Sequence, residues 1–466
     1  MNPSIHLRCA AFPAAIAALL AASLAFFFPL TTGAREPTRP VAPKYIFIFI
    51  ADGGGITHME ITRMFNRHLH NEGLTIVDKI MKEGSVGLLT THAADSLVTD
   101  SSAAATALAC GCKAKNGAVG TCEDGVIPKT VMEVAKETGM RIGIVTNSTV
   151  YDATPASFAG HVSNRRLYAT IVDQYLQLEP EVLLGGGRDQ FIPRSRPGSR
   201  RRDDADVIAA FQKKGYAYVS DRQGLSRVKG AKALGLFSLR DMSFELDRDK
   251  GREPSLSEMT RAALRLLQEG NRRGFMLLIE NENIDSAGHM MDVASLIQDY
   301  REFDRAVALA YEFYRKYPSE TLVLVTSDHE TGGLSFSGYP SVKELQRIQS
   351  IGISLSKAAE LLGLNPHQEA VDRLVAEHFK GFSLSPELRE AILKKKRLGP
   401  TFPSNPTVGA LGAMISNETK AFWISAGHTN QPVFVAALGV GAEKFRGYQD
   451  NTDFARHLFA LLGRKE

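Results

Sequence analysis

The apolar run Tyr45-Ile46-Phe47-Ile48-Phe49-Ile50 ends, after Ala51, at Asp52-Gly53-Gly54-Gly55. A short, unbroken run of β-branched and aromatic residues is typical of a strand buried on both faces, as in a parallel sheet. Glycines directly after such a run end the strand and let the backbone turn. The segment therefore predicts a buried parallel strand that carries Asp52 to an edge of a sheet.

Strands of the same type recur along the chain, and helical periodicity fills the intervals between them. Alternating strands and helices predict an α/β fold, a three-layer sandwich with a central, mostly parallel sheet flanked by helices. Ligands of such sheets gather at the carboxyl ends of the strands, where Asp52, Asn147, Glu280 and Asp328 would lie. The further strands are predicted at 141–146, 274–279 and 321–326, and the helices at 131–138, 167–177, 255–269, 293–317 and 452–462.

The rhythm changes between residues 339 and 415, where polar helical segments surround a Pro/Gly-rich stretch at 399–403. This change predicts a helical insertion in the α/β fold, a cap or crown that covers a site or contacts a partner. Residues 35–466 would otherwise form one domain.

The N-terminus has the pattern of a secretory leader. Arg8 precedes an almost uncharged apolar run at 10–30, and small residues lead to Ala34. We interpret 1–34 as a signal peptide cut after Ala34. The run is also long enough for an uncleaved membrane anchor, because a span needs roughly 20 apolar residues. The leader predicts a periplasmic or secreted protein. If the leader is cleaved, we expect the mature protein to have no membrane span.

The composition is that of an ordinary globular protein, with 466 residues, 44% hydrophobic and 23% charged, and a net charge of +4. The densest basic patch, at 194–202, has no interleaved aromatic residues and is interpreted as a solvated loop. We predict no nucleic-acid partner.

Four cysteines are present, and Cys9 lies in the leader. In an oxidising compartment the other three predict one disulfide and one spare thiol. Cys122 would pair with Cys110 or Cys112. A soft-metal site is the alternative, although paired C-x-x-C motifs are absent.

Asp285 and His289 stand four residues apart, so that one helical turn places them on the same face, where they could hold one ion. The alternative is a surface aspartate beside a histidine with ordinary hydrogen bonds. Their position after an apolar strand, with Glu280 five residues before Asp285, favours the metal site.

Asp328-His329 follows another strand and precedes Gly332-Gly333, which allow a close approach of the backbone. His428 in Gly427-His428-Thr429 would alone be interpreted as a structural histidine. It becomes a candidate as the missing nitrogen ligand of the Asp285-His289 ion. Carboxylates and imidazoles are the ligands that zinc accepts in catalytic sites.

The segment 98–107 predicts a helix whose first turn carries Ser101. Free backbone N–H groups and the helix dipole favour an anion at that place. The alternative is a simple N-cap, since Asp and Ser are preferred there. Ser102 is the alternative nucleophile. A serine beside Zn²⁺ could be deprotonated without a histidine base.

Together these motifs resemble the alkaline phosphatases, in order from about Pro43 to Leu462. The likeness rests on Asp52 with its glycines, Thr99-Asp100-Ser101, Asp152-Ala153-Thr154-Pro155-Ala156, 161–165, 280–289, Asp328-His329 and Gly427-His428. The resemblance implies that residues 35–466 are a catalytic domain hydrolysing phosphate monoesters at two Zn²⁺ ions and one Mg²⁺.

The resemblance also implies the ligand sets. One zinc would be held by Asp285, His289 and His428, and the second by Asp52, Asp328, His329 and the Ser101 oxygen. The magnesium would lie on Asp52, Thr154 and Glu280, a set of hard oxygen ligands that suits it.

Arg165 would grip two phosphate oxygens with its planar guanidinium, and Arg166 is the alternative. Asp152 would act beside it through a water link to the magnesium. Position 286 departs from the family pattern, because Ser286 stands where several members carry Lys, His or Trp.

By this resemblance Ser101 attacks the phosphorus of a monoester and forms a phosphoserine, which water then hydrolyses. A phosphodiesterase or sulfatase on the same scaffold, a phosphotransferase and a non-catalytic binding protein are the competing hypotheses. Members of the family are often dimers, so a homodimer is a further expectation.

Overall fold

The structure is a computed structural model that describes residues 42–464. The predicted leader, 1–34, lies outside the described residues. Among the described residues, no helix combines the length and the apolar character that crossing a bilayer requires.

Fourteen strands are found in the described part of the chain, ten of them in one sheet. The strands are β1 Tyr45–Ala51, β2 Ser85–Leu89, β3 Arg141–Thr149, β4 Val182–Gly186, β5 Ala217–Val219, β6 Ala233–Leu236, β7 Phe275–Asn281, β8 Thr321–Thr326, β9 Glu330–Thr331, β10 Ser335–Phe336, β11 Ala421–Phe422, β12 His428–Thr429, β13 Val433–Gly439 and β14 Gly447–Gln449.

Sixteen α-helices connect or flank these strands within residues 42–464. They are α1 Ile56–His70, α2 Ser101–Cys110, α3 Val131–Glu137, α4 Ala153–Ala159, α5 Tyr168–Leu178, α6 Val207–Lys213, α7 Arg222–Arg227, α8 Leu256–Gln268, α9 Asn283–His289, α10 Val293–Lys316, α11 Val342–Gln349, α12 Leu355–Leu362, α13 Gln368–His378, α14 Pro386–Leu393, α15 Pro406–Thr419 and α16 Asn451–Leu461.

The large sheet has the strand order β14-β2-β13-β8-β1-β7-β3-β4-β6-β5. β1 lies near its middle and runs parallel to both β7 and β8, with Ile50 opposite Glu280 on one side and Thr326 on the other. Only β13 runs antiparallel to its neighbours, β8 and β2. The predicted mostly parallel sheet is confirmed, and its register brings the ends of β1, β7 and β8 to one edge.

Two apolar clusters cover the two faces of this sheet. Phe47 and Phe49 point into one cluster, which also contains residues of α8 and α10. Ile46 and Ile48, on the opposite face of the same strand, point into the other, with residues of α5 and α16. Because successive side chains of a strand alternate between faces, a continuous apolar run needs helices on both sides. The three-layer sandwich is therefore confirmed.

The segment predicted as an insertion contains α11 to α14 and most of α15. α11, α12 and α14 pack against α15, whose residues are largely buried, and α13 packs against α12 and α14. The segment belongs to the same compact unit as the sheet. Its role as a cap stays a prediction.

The structure joins Cys112 to Cys122 in a disulfide and leaves Cys110 as a buried free thiol. This agrees with the expectation of one disulfide, and it settles which of the two neighbouring cysteines takes part. Cys110 is the last residue of α2 and is buried in one of the two apolar clusters of the core.

Candidate active site

The candidate ligands converge at one edge of the sheet. Asp52 follows β1, Asp328 follows β8, and Asp285 lies in α9 directly after β7. His428 arrives from much later in the chain, because β12 pairs antiparallel with β9 and sets His428 opposite Thr331. Residues more than 370 positions apart in sequence thus meet through strand pairing.

Asp285, His289 and His428 lie close together, with polar side-chain atoms 3.1 to 3.6 Å apart. His289 Nε2 is 3.1 Å from Asp285 Oδ2, and His428 Nε2 is 3.6 Å from Asp285 Oδ1. The helical i,i+4 arrangement predicted for Asp285 and His289 is found in α9. The interpretation of His428 as an isolated loop histidine does not describe its surroundings.

The imidazoles of His289 and His428 approach each other through their Nε2 atoms. The distance between His289 Nε2 and His428 Nε2 is 3.1 Å, while their Nδ1 atoms are each 2.8 Å from a backbone carbonyl oxygen, of Ala426 and Thr99. A neutral histidine whose Nδ1–H donates to a carbonyl carries its lone pair on Nε2. The charge of Asp285 raises the pKa of His289 to about 9, so without a metal a proton occupies the space between the two Nε2 atoms, where a shared cation would replace it.

Asp52, Asp328 and His329 form the second group, and all three are buried. His329 Nε2 is 3.2 Å from Asp328 Oδ2 and 3.5 Å from Asp52 Oδ1. Neither of these carboxylate oxygens has a hydrogen-bond donor among the described residues. Buried carboxylate oxygens are normally paired, so this donor set fits a metal ion. Asp285, His329 and His428 also lie close enough to share an ion.

Burial and mutual repulsion perturb these carboxyl groups. Burial, with the charge of Asp285, raises the pKa of Asp328 to about 7. Burial, with Asp328 and Asp285, raises the pKa of Asp52 well above its ordinary value. Burial would also raise the pKa of Asp285, but the neighbouring imidazoles, His289 first, hold it well below. Crowded carboxylates of this kind need a counter-charge at alkaline pH.

Glu280 and Thr154 form a third group next to Asp52. Thr154 Oγ1 is 3.4 Å from Asp52 Oδ2, and Thr146 Oγ1 donates to Glu280 Oε2 at 2.5 Å. Burial, with the charge of Asp152, raises the pKa of Glu280 to about 8, and Glu280 Oε1 has no donor among the described residues. These oxygen ligands fit a hard cation such as Mg²⁺.

Ser101 is the first residue of α2, and its side chain is buried. Its Oγ lies 3.1 Å from Nε2 of His329, a member of the second group. The N-cap is Asp100, whose Oδ1 accepts from the Ala103 N–H at 2.9 Å. The neighbouring Ser102 hydroxyl instead donates to Asp100 at 2.7 Å. Capping therefore occupies Asp100 and Ser102 and leaves the Ser101 hydroxyl facing the candidate ligands.

Arg165 points its guanidinium toward the same space. It donates to Asp152 Oδ1 at 3.0 Å and to Asp100 Oδ2 at 3.4 Å. Burial would lower the pKa of Arg165, but Asp152 and Asp100 outweigh it and the pKa is raised, so the group stays charged. Arg166 is exposed.

Comparisons with known proteins agree with this geometry. The family model described as alkaline phosphatase matches residues 43–463. The chain belongs to the alkaline phosphatase family.

Among relatives, alkaline phosphatase 4 of Bacillus subtilis is 31% identical over 433 residues, which is 90% of this chain and 88% of that protein. Repressible alkaline phosphatase of Saccharomyces cerevisiae is 36% identical over 331 residues, covering 66% of this chain but only 58% of that relative. The crystal structure of Thermus thermophilus alkaline phosphatase superposes with a TM-score of 0.84 at 29% identity, covering 92% of this chain and 93% of that one.

Alkaline phosphatases are metal-dependent phosphomonoester hydrolases, and the two groups of carboxylates and imidazoles are the candidate metal sites of this member. The expectation of phosphate monoesters as substrates is consistent with the family.

The alkaline phosphatase motifs did not reveal several residues that support the site. Thr331 Oγ1 donates to Asp285 Oδ1 and lies 3.3 Å from His329 Nδ1. Glu330 accepts from the Gly333 N–H and the Thr429 hydroxyl, next to His428. Only the position of Glu330 and Thr331 beside His329 could have indicated them.

Gly53 allows the ligand loops to approach closely. Its φ is +68°, and a Cβ at this position would lie 2.6 Å from Asp285 Oδ1. Its N–H donates to Asp328 Oδ1 at 3.1 Å, and its carbonyl accepts from Thr331. Glycine at 53 therefore lets the loops that carry Asp52, Asp285 and Asp328 share one small volume.

Proposed function

We propose that the chain hydrolyses phosphate monoesters to an alcohol and phosphate through a phosphoserine on Ser101. The position of the Ser101 hydroxyl carries this proposal. It is buried on the first turn of α2, and its Oγ lies 3.1 Å from His329 Nε2, the atom that also lies beside the oxygens of Asp52 and Asp328 that are unpartnered among the described residues. A non-catalytic binding protein would have no use for a hydroxyl in that place.

The proposal assigns a set of ligands to each of three cations. Asp285, His289 and His428 would hold one Zn²⁺, with Asp52, Asp328, His329 and Ser101 around the second. Asp52, Thr154 and Glu280 would hold Mg²⁺. When bound, the cations supply positive charge that favours ionisation of the serine hydroxyl and of water and stabilises the leaving oxygen.

Side chains of this protein carry out the attack on phosphorus and bind the phosphate. The Ser101 oxygen attacks phosphorus while the bond to the alcohol oxygen breaks, and the alcohol gains the proton that the serine loses. Water then displaces the Ser101 oxygen and releases phosphate. Arg165, with the free N–H groups at the start of α2, would bind the non-bridging phosphate oxygens, whose charge it complements.

Replacement of Ser101 tests the nucleophile. We expect Ser101→Ala to lower the hydrolysis of 4-nitrophenyl phosphate by at least ~10³-fold, equivalent to about 4 kcal/mol in the barrier, while zinc measured by elemental analysis stays bound. Ser102→Ala is the matched control, because its hydroxyl only donates to Asp100. It should retain most of the activity and still form an acid-stable phosphoprotein.

Several outcomes would refute the proposal. A Ser101→Ala protein with near-normal turnover would exclude a phosphoserine on Ser101. Faster turnover of a phosphodiester or sulfate ester than of a monoester would favour a related hydrolase. Transfer of most phosphoryl groups to an added alcohol, rather than to water, would favour a phosphotransferase.

We also propose that 1–34 directs export and that mature protein is periplasmic or secreted. N-terminal sequencing of protein recovered from outside the cytoplasm would test this. Mature protein that begins after Ala34 would support it, and an intact leader would contradict cleavage there.

A further inference from the structure

A cavity of about 810 Å³ opens beside His289, between α9 and the helical insertion. Its lining includes His289 and Ala426 from the candidate site, residues at and after the ends of α12 and α14, and residues 402–408. Pockets that bind small organic molecules have volumes of ~300 to 1,000 Å³. The space is therefore far larger than a phosphate group alone would need.

The wall of this cavity is tied to the candidate metal site by hydrogen bonds. Arg397 donates to the carbonyl oxygens of Pro400 at 2.8 Å and Phe402 at 2.6 Å. The Thr401 carbonyl, between them, accepts from the Ala426 N–H at 2.7 Å. Ala426 in turn accepts from His289 Nδ1 at 2.8 Å. A molecule in the cavity would thus lie against a surface that is fixed relative to the reacting phosphate.

The cavity lining combines apolar side chains with cations that lack carboxylate partners. Leu364, Ile392 and Phe402 supply the apolar surface. Lys395 and Arg397 line the same space, and among the described residues neither has a carboxylate oxygen within 4.0 Å. Lys395 Nζ donates only to the Asn365 amide oxygen, at 2.6 Å.

One acidic residue, Glu360, also lines the cavity. Its carboxylate forms an ion pair with Lys357 Nζ at 2.9 Å. With Glu360 paired in this way, Lys395 and Arg397 leave the lining with a net positive charge.

We infer that this cavity binds the alcohol portion of the phosphate monoester, and that it favours alcohols with an aromatic or apolar body and a second anionic group. The inference rests on the proposed function, because it places the leaving alcohol on the His289 side of the site. Apolar residues would bury the body of the molecule, and Lys395 would attract the distant anion.

The test compares two aryl phosphates, phenyl phosphate and 4-carboxyphenyl phosphate, in the metal-loaded full-length enzyme. In the wild type and in each variant we measure the kcat/KM for 4-carboxyphenyl phosphate divided by the kcat/KM for phenyl phosphate. Comparing this ratio between proteins cancels the intrinsic reactivities of the two esters. We expect Lys395→Glu to lower the ratio ~10-fold and Lys395→Gln to lower it ~3-fold, with both effects smaller at high salt.

Lys343→Glu is the matched control, since it makes the same charge change on α11, within the insertion but away from the cavity lining. Its ratio should equal that of the wild type. A Lys395→Glu ratio equal to that of Lys343→Glu would overturn the inference, as would an equal loss for both esters. A wild-type protein that hydrolyses neither ester would instead refute the proposed function.

Discussion

Metal removal should make the stability of this protein strongly dependent on pH. Without cations, burial and crowding raise the pKa of Asp328 from 3.8 to about 7 and that of Glu280 from 4.5 to about 8. Each pKa unit corresponds to about 1.4 kcal/mol, so ionising either carboxyl in the folded state costs about 4 to 5 kcal/mol more than in the unfolded chain.

The sign follows from proton binding. Because both pKa values are higher in the folded metal-free protein, the folded state holds more protons than the unfolded chain between pH ~4 and ~8. Stability is therefore greatest at the acid end of this window and is lost as the pH rises through it. Bound cations favour the ionised carboxylates and should remove this loss.

The assay is thermal unfolding at a series of pH values, with excess chelator and with excess Zn²⁺ and Mg²⁺. For a chain of this size, a loss of several kcal/mol lowers Tm by roughly 5 to 10 °C. We expect this decrease between pH 5 and pH 8.5 for the metal-free protein only. The metal-free Asp328→Asn/Glu280→Gln variant is the control and should show a much smaller decrease.

A metal-free wild type whose Tm stays constant or rises between pH 5 and pH 8.5 would refute the reasoning. It would mean that the carboxylates are neutralised by something other than a cation.

Two further predictions concern the packing of the site and the core. Gly53→Ala should abolish zinc binding and lower Tm, because the new Cβ meets Asp285. Gly125→Ala should lower Tm only slightly, since the φ of Gly125 is also positive but the space around it is open. Equal zinc content in the two variants would contradict this prediction. Burial raises the pKa of the Cys110 thiol to about 12, so this thiol should resist iodoacetamide at pH 8 in the native protein and react only after unfolding. Mass spectrometry of the labelled peptides would show this. Labelling of Cys110 in the native protein would count against its burial.

The residues of the site could be found from the sequence to different degrees. Asp52 and Asp328 were recognisable because each follows an apolar strand, and the helical spacing of Asp285 and His289 was visible locally. Thr331 and Glu330 carried no such signal, because Thr331 meets Asp285 only when β9 packs against α9, and Glu330 meets Thr429 only when β9 pairs with β12.

The sequence by itself determined the buried strands β1, β3, β7 and β8, several of the amphipathic helices and the positions of the carboxylates that follow strand ends, whereas the buried strands β4, β6 and β13 were not predicted. Burial imposes an alternation or an unbroken run on neighbouring residues, so local order in the sequence carries that information. The tertiary structure alone decided that Cys112 rather than Cys110 pairs with Cys122, and that a cavity lined by Lys395 and Arg397 lies beside the site. It also supplied the contact between His428 and His289 that the family resemblance had implied. These depend on contacts between distant segments, whose free energy comes from packing and leaves no periodic trace in the chain.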